Sequence, residues 1–175
     1  MLNEDKKTVR DAPSYWPGGS HAQKGVKEKF GVVEVELMDV HSKNGRVKRE
    51  FKLRMTNDND EEPRYVVHIQ TLYWPERESV PNDVNGFHHL LKRALHFQEE
   101  NPELRLLVHC SDGWSKSGLF LAAFNLLQRL EEDDVVHLPW SVLAIRTTHK
   151  HFLKDSEQLK CCYELVERHV RKERR

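Results

Sequence analysis

The chain lacks a long apolar run, an excess of either charge and a workable set of disulfide partners, and each lack closes off a class of function. Its longest mostly apolar stretch, Leu119 to Leu127 (LFLAAFNLL), is less than half of the roughly 20 residues that a membrane-spanning helix needs. No membrane span is expected. Lys plus Arg is 28 and Asp plus Glu is 28, so no overall field draws the protein to nucleic acid or to an anionic membrane. Three cysteines, Cys110, Cys161 and Cys162, are an odd number with two adjacent, a poor disulfide framework that fits a reducing compartment. The opening MLNEDKKTVR has no apolar run after its charges, so no secretory signal is read there and the expected location is cytoplasmic. Eleven histidines, among them His88, His89, His149 and His151, include no pair at zinc-ligand spacing with Cys or carboxylate. Structural or solvated roles are expected for them, with no metal and no cofactor.

What is present fits one compact domain: 175 residues, 38% hydrophobic and 32% charged. Residues 1–30, with Pro13, Pro17, Gly18, Gly19 and Gly25, read as irregular chain, and 31–170 as the domain proper. Val33, Val35 and Leu37 alternate with Glu34 and Glu36, and Val47, Phe51, Leu53 and Met55 keep a period of two beyond Asn44-Gly45, which predicts a hairpin. An acidic loop from Asn57 to Pro63 leads to a third strand, Arg64 to Leu72. Phe87, Leu90, Leu91, Ala94 and Leu95 then fall at helical spacing behind the capping candidates Asn82 and Asp83. Leu104 to His109 (LRLLVH) reads as a strand covered on both faces, and Ser117 or Gly118 to Leu130 as a buried helix. A helix starting near Pro139 is predicted to bury Trp140, Leu143, Ala144 and Thr147. A last helix from Asp155 is predicted to bury Leu159, Cys162, Tyr163 and Val166, leaving one of Cys161 and Cys162 near the surface. The basic end Arg168 to Arg175 (RHVRKERR) reads as a solvated helix terminus. Strands followed by helices around a buried strand predict an α/β or α+β fold.

The chemistry concentrates where the buried strand meets the buried helix. Loop amides and first-turn helix amides lack backbone partners and point into one concavity, which attracts anions. In HCSDGWSKSG, Cys110 stands at the strand's end, where a positive helix terminus and Lys116 favour a thiolate over a free thiol of pKa about 8.5. Ser117, at the helix start, is placed to hydrogen-bond that sulfur as a leaving group. Trp114 is either a ring-stacking contact for a ligand or a packing residue.

The segment Cys110-Ser111-Asp112-Gly113-Trp114-Ser115-Lys116-Ser117-Gly118, preceded by His109, resembles the phosphate loop of the protein tyrosine phosphatases, His-Cys, five residues, then Arg-Ser/Thr-Gly. Trp74-Pro75-Glu76, followed by Val80-Pro81, is similar to the loop that carries that family's general acid. Tyr15-Trp16-Pro17, Arg49 to Leu53, Arg146 and the stretch Asp155 to Tyr163 (DSEQLKCCY) match further landmarks in the same order, with Gln158 in the place of a water-positioning glutamine. The likeness covers nearly all of residues 15–167. It implies a phosphotyrosine phosphatase-like α/β fold, a twisted mixed sheet flanked by helices and truncated at the N-terminus. It also implies catalytic roles for Cys110, Glu76, Ser117 and Gln158, and phosphate contacts from Ser111 through Gly118 and from Lys154.

The departures carry equal weight. The family's loop arginine is Lys116 here, its second loop glycine Ser115, its acid aspartate Glu76, or Glu78 in a turn one residue longer, and its first glutamine Lys154. An ammonium keeps the charge of a guanidinium but loses the fork that holds two phosphoryl oxygens at once. Ser115 is expected to strain a backbone that glycine tolerates. Two functions follow from the resemblance: a catalytically impaired domain that binds phosphotyrosine or a phosphoprotein partner, or a slow phosphatase acting through a phosphocysteine. No segment matching the family's ring-clamping loop precedes Tyr15, so an open sheet edge is expected, to be covered by a partner or by an N-terminal segment.

Overall fold

The computed structural model describes residues 15–19, 23–57 and 62–173. The acidic residues 58–61, most of the N-terminal stretch and the last two arginines of the basic end lie outside the described residues. The chain divides into two compact units, one ending at Glu76 and one starting at Arg77, where composition alone suggested a single domain.

The first unit is a four-stranded antiparallel sheet in the order β1 (Lys27–Phe30), β2 (Val33–Lys43), β3 (Arg46–Met55), β4 (Arg64–Thr71). The hairpin of β2 and β3 turns on Asn44 and Gly45, with φ of 50° and 66°. Two successive positive φ values match the strands' right-handed twist, which is why Asn-Gly marks the spot. The pairing carries one irregularity between Leu37 and Asp39, which brings Leu37 opposite Phe51 and Asp39 opposite Glu50. On one face Leu37 and Phe51 bury Trp16, with Val35 and Leu53 against them. The guanidinium of Arg49 lies 4.8 Å over the Trp16 ring and donates from Nη1 to Gln70 Oε1 at 3.0 Å. Tyr15-Trp16 and Arg49 to Leu53 are therefore parts of one packed cluster. Burial raises the Tyr15 phenol to about 12, against a smaller lowering by Arg49.

β1 lies inside a stretch read as irregular. Its sequence KEKF has no apolar alternation, and it is held by the ladder to β2 and by Lys27 Nζ, 3.3 Å from Glu36 Oε2.

The second unit holds α1 (Val84–Glu100), α2 (Ser115–Asp133), α3 (Leu138–Thr148) and α4 (Ser156–Glu173). Asp83 caps α1, its side chain accepting from the Gly86 amide at 2.8 Å. The core is built by Phe87, Leu90, Leu91 and Leu95 of α1, Leu119, Phe120, Leu126 and Leu127 of α2, and Cys161, Cys162 and Leu165 of α4. His88, fully buried, reaches His169 (Nε2 to Nδ1, 3.4 Å), whose Nε2 is 3.4 Å from Glu131 Oε1. This chain ties α1, α4 and α2 together with polar contacts.

Four sequence expectations are corrected in this unit. Leu104 to His109 forms no ladder pair among the described residues, so the sheet is antiparallel rather than mixed. Without a neighbouring strand the segment is irregular chain, and Leu107 is 85% exposed. On α3 the buried residues are Leu138, Ser141 and Ile145, while Trp140 and Leu143 face solvent. Both sets fit a helical period, and periodicity does not choose between faces. On α4 both Cys161 and Cys162 are buried, and Tyr163 is exposed in their stead. Burial pushes both thiols up to about 12, which makes them packing groups. The basic end is partly structural, since His169 is buried within α4 and Arg168 hydrogen-bonds Asn85.

Candidate active site

The site is assembled by the irregular chain that leads into α2. Helix α2 starts at Ser115, two residues earlier than expected, and Ser115 is not among the positive-φ residues, so the predicted strain at this position is absent. Gly113 carries the left-handed turn instead, at φ 75°. Trp114, Ser115 and Lys116 thus place their amides around the positive end of a 19-residue helix. The side chains of Lys116 and Ser117 are buried, at 3% and 2% exposed.

Cys110, Asp112 and Ser117 form a connected set. Ser117 Oγ donates to Cys110 Sγ at 3.1 Å, the contact expected of a residue that assists a sulfur leaving group. Cys110 Sγ in turn donates to Asp112 Oδ1 at 3.1 Å. The same carboxylate oxygen accepts from the Trp114 amide at 3.0 Å and the Ser115 amide at 2.9 Å. Burial works to raise the Asp112 carboxyl, but the Ser115 hydroxyl, the Ser115 and Trp114 amides and the Cys110 thiol outweigh it and bring it down to about 2. A carboxyl depressed in the fold contributes above its ordinary value of 3.8, and the contribution is lost only as pH falls toward 2. Asp112 is therefore anionic at any physiological pH. The sequence presented it as one more phosphate contact; the fold makes it an anion sitting on the loop's own donors. A loop that binds anions and contains an acid two residues after its nucleophile carries that signal in the sequence.

Gln158, buried at the start of α4, donates from Nε2 to Ser79 O at 3.1 Å and to Ser115 O at 3.0 Å. It clamps the turn after Glu78 to the loop's end. Lys154 Nζ lies 5.9 Å from the Trp114 ring centroid, and the His151 ring is 5.5 Å from the same indole. Trp114 is thus half-buried by this chain's own residues. Gly118 is where α2 meets Phe152: a Cβ there would lie 2.7 Å from Cδ1 and 3.2 Å from Cα of Phe152. Ser111 is exposed in the loop, and Glu76 and Glu78 are exposed in the turn that follows Trp74. Burial pushes His109, directly before Cys110, below its ordinary value. Among the described residues no three His, Cys, Asp or Glu side chains group as metal ligands, and no helix is long and apolar enough to cross a membrane.

The hydrogen bond from Ser117 to Cys110 at the start of α2 is the arrangement that the resemblance to cysteine-dependent phosphatases implies. The family model for protein-tyrosine phosphatase matches residues 1–168. The chain belongs to the protein-tyrosine phosphatase family, and its α/β fold is of that type. It is 31% identical over 175 residues to mouse receptor-type tyrosine-protein phosphatase C, covering 95% of this chain and 12% of that protein. It is 26% identical over 172 residues to human tyrosine-protein phosphatase non-receptor type 23, covering 97% of this chain and 10% of that one. Chicken receptor-type tyrosine-protein phosphatase U is 24% identical over 166 residues, 95% of this chain and 11% of that protein. The chain thus spans about a tenth of the length of these relatives.

Proposed function

We propose that this is a catalytically impaired tyrosine phosphatase domain that binds a phosphotyrosine-containing protein or peptide in signalling. The observation that carries the reading is the Asp112 carboxylate, which accepts from Cys110 Sγ and from the Trp114 and Ser115 amides. The two amides are the groups a phosphoryl oxygen would approach, so a substrate must first displace a resident anion. A phosphate ester bears about −1.5 to −2 charge and three acceptor oxygens, against −1 and two for the carboxylate, so displacement weakens binding without forbidding it. Turnover suffers more. Phosphoryl transfer depends on position and on charge compensation across the equatorial oxygens, and Lys116 brings a point charge where a fork is needed.

The alternative is a slow phosphatase, favoured by the 3.1 Å contact from Ser117 Oγ to Cys110 Sγ. There Cys110 attacks phosphorus, Glu76 protonates the leaving phenol, Lys116 clamps the phosphoryl oxygens, and Gln158 and Lys154 border the water's approach. Titration with a phosphotyrosyl peptide and its plain counterpart tests the binding reading. The phosphorylated form is expected to bind at least about tenfold tighter, a difference of about 1.4 kcal/mol. Equal affinity for the two removes it.

A further inference from the structure

Helix α3 carries an apolar face that its own unit leaves uncovered. Leu138, Ser141 and Ile145 are buried, while Trp140 and Leu143 stand 69% and 56% exposed, with Ala144 and Thr147 exposed beside them. Positions 140, 143, 144 and 147 recur at i, i+3, i+4 and i+7, so they form one continuous stripe along the helix. The Thr147 hydroxyl is already satisfied, donating from Oγ1 to the Ala144 carbonyl at 2.6 Å. A contiguous apolar stripe rimmed by charge marks a contact surface. The charges are sorted along the same line. Glu132, Asp133 and Asp134, all exposed, precede the N-terminal end of α3, and Arg146 and Lys150, also exposed, stand at its C-terminal end.

We propose that this face of α3 docks a second copy of the chain, antiparallel, about a two-fold axis that passes between Leu143 and Ala144. Such an axis sets Trp140 against Thr147 of the second copy and Leu143 against its Ala144, large against small at each contact. It also sets the acidic end of each helix against the basic end of the other and opposes the two macrodipoles. A parallel pairing would face like charges with like. With 28 basic and 28 acidic residues, two copies meet without net repulsion. One helix of 11 residues per copy is a small patch, below the roughly 1,200 Å² at which stable interfaces begin, so the dimer is weak and depends on concentration.

Sedimentation equilibrium across about two decades of concentration reads the average mass, which is expected to rise from one chain toward two. Trp140→Ala/Leu143→Ala is expected to weaken the association at least about tenfold, with the melting temperature unchanged because both side chains face solvent. Glu132→Lys/Asp133→Lys reverses the acidic end and Arg146→Glu/Lys150→Glu the basic end, so each alone opposes like charges and is expected to stay a single chain. An equimolar mixture of the two is expected to regain association, since every end then meets its opposite. Adding Trp140→Ala/Leu143→Ala to both partners is expected to abolish that association, which separates pairing through α3 from plain attraction between oppositely charged proteins. A wild type that stays a single chain at every concentration overturns the proposal. So does a dimer that Trp140→Ala/Leu143→Ala leaves intact, or a mixture of well-folded charge variants that does not associate.

Discussion

Replacing Asp112 with Ala and Lys116 with Arg together is expected to raise the turnover of an aryl phosphate by at least about two to three decades over wild type. That range is what one charge-assisted contact specific to the transition state is worth, about 3–4 kcal/mol. The two changes act on the same oxygens by different routes. Asp112→Ala frees the Trp114 and Ser115 amides and removes the carboxylate 3.1 Å from Cys110 Sγ. Lys116→Arg supplies two parallel donors in place of one. Neither alone is expected to give the full gain, because a fork aimed at an oxygen that Asp112 excludes has nothing to hold, and a cleared loop with an ammonium still lacks the fork. Initial rates of both single variants and the double, set against Cys110→Ser in each background, check this. Additive single effects, each of a decade or more, would show that the loop is not occupied as a unit. Because Lys116 is buried, the melting temperature of Lys116→Arg is read alongside.

Gly118→Val is expected to destabilise the second unit by about 3 kcal/mol, at the upper end for overpacking. The first carbon of any side chain at this position would stand 2.7 Å from Phe152 Cδ1 and 3.2 Å from Phe152 Cα. The ring edge can rotate aside, but the backbone atom cannot without moving Leu153, which already sits at φ 50°. Phe152 and the following turn carry Gln158, so the disturbance reaches Ser79 and Ser115 through its two hydrogen bonds. Urea unfolding followed by tryptophan fluorescence measures the loss, and a change below about 0.5 kcal/mol, the range of ordinary surface substitutions, would show that the helix shifts freely. Gly118→Ala, in which the same first carbon meets the same atoms, is expected to lose less than Val because it adds nothing beyond it.

The parts of the molecule that sequence reading reached share one property: their signal is local. Asn44-Gly45 demands a turn by backbone sterics, Asp83 caps α1 with its own side chain, and the spacing from Cys110 to Ser117 brings that sulfur and that hydroxyl together. The parts it missed depend on what lies alongside. Leu104 to His109 has the composition of a covered strand, but a strand exists only as a pair, and no neighbour completes it among the described residues. On α3, Trp140 and Leu143 are as apolar as Leu138 and Ile145, and only the position of α2 decides which pair is buried. Asp112 is the instructive case in the site. Its residue type was plain, but the two amides its carboxylate accepts from follow from a turn at Gly113 that folds it back onto Trp114 and Ser115. Lys154 and His151 were visible one by one; their shared approach to Trp114 was not.

The central claim is that the loop's own acid competes with an anion for the Trp114 and Ser115 amides. Isothermal titration of tungstate into wild type and into Asp112→Ala at pH 7 tests it most directly. The account predicts binding at one site in both, at least about tenfold tighter in Asp112→Ala, which is about 1.4 kcal/mol or more. Equal affinity in the two proteins would contradict it.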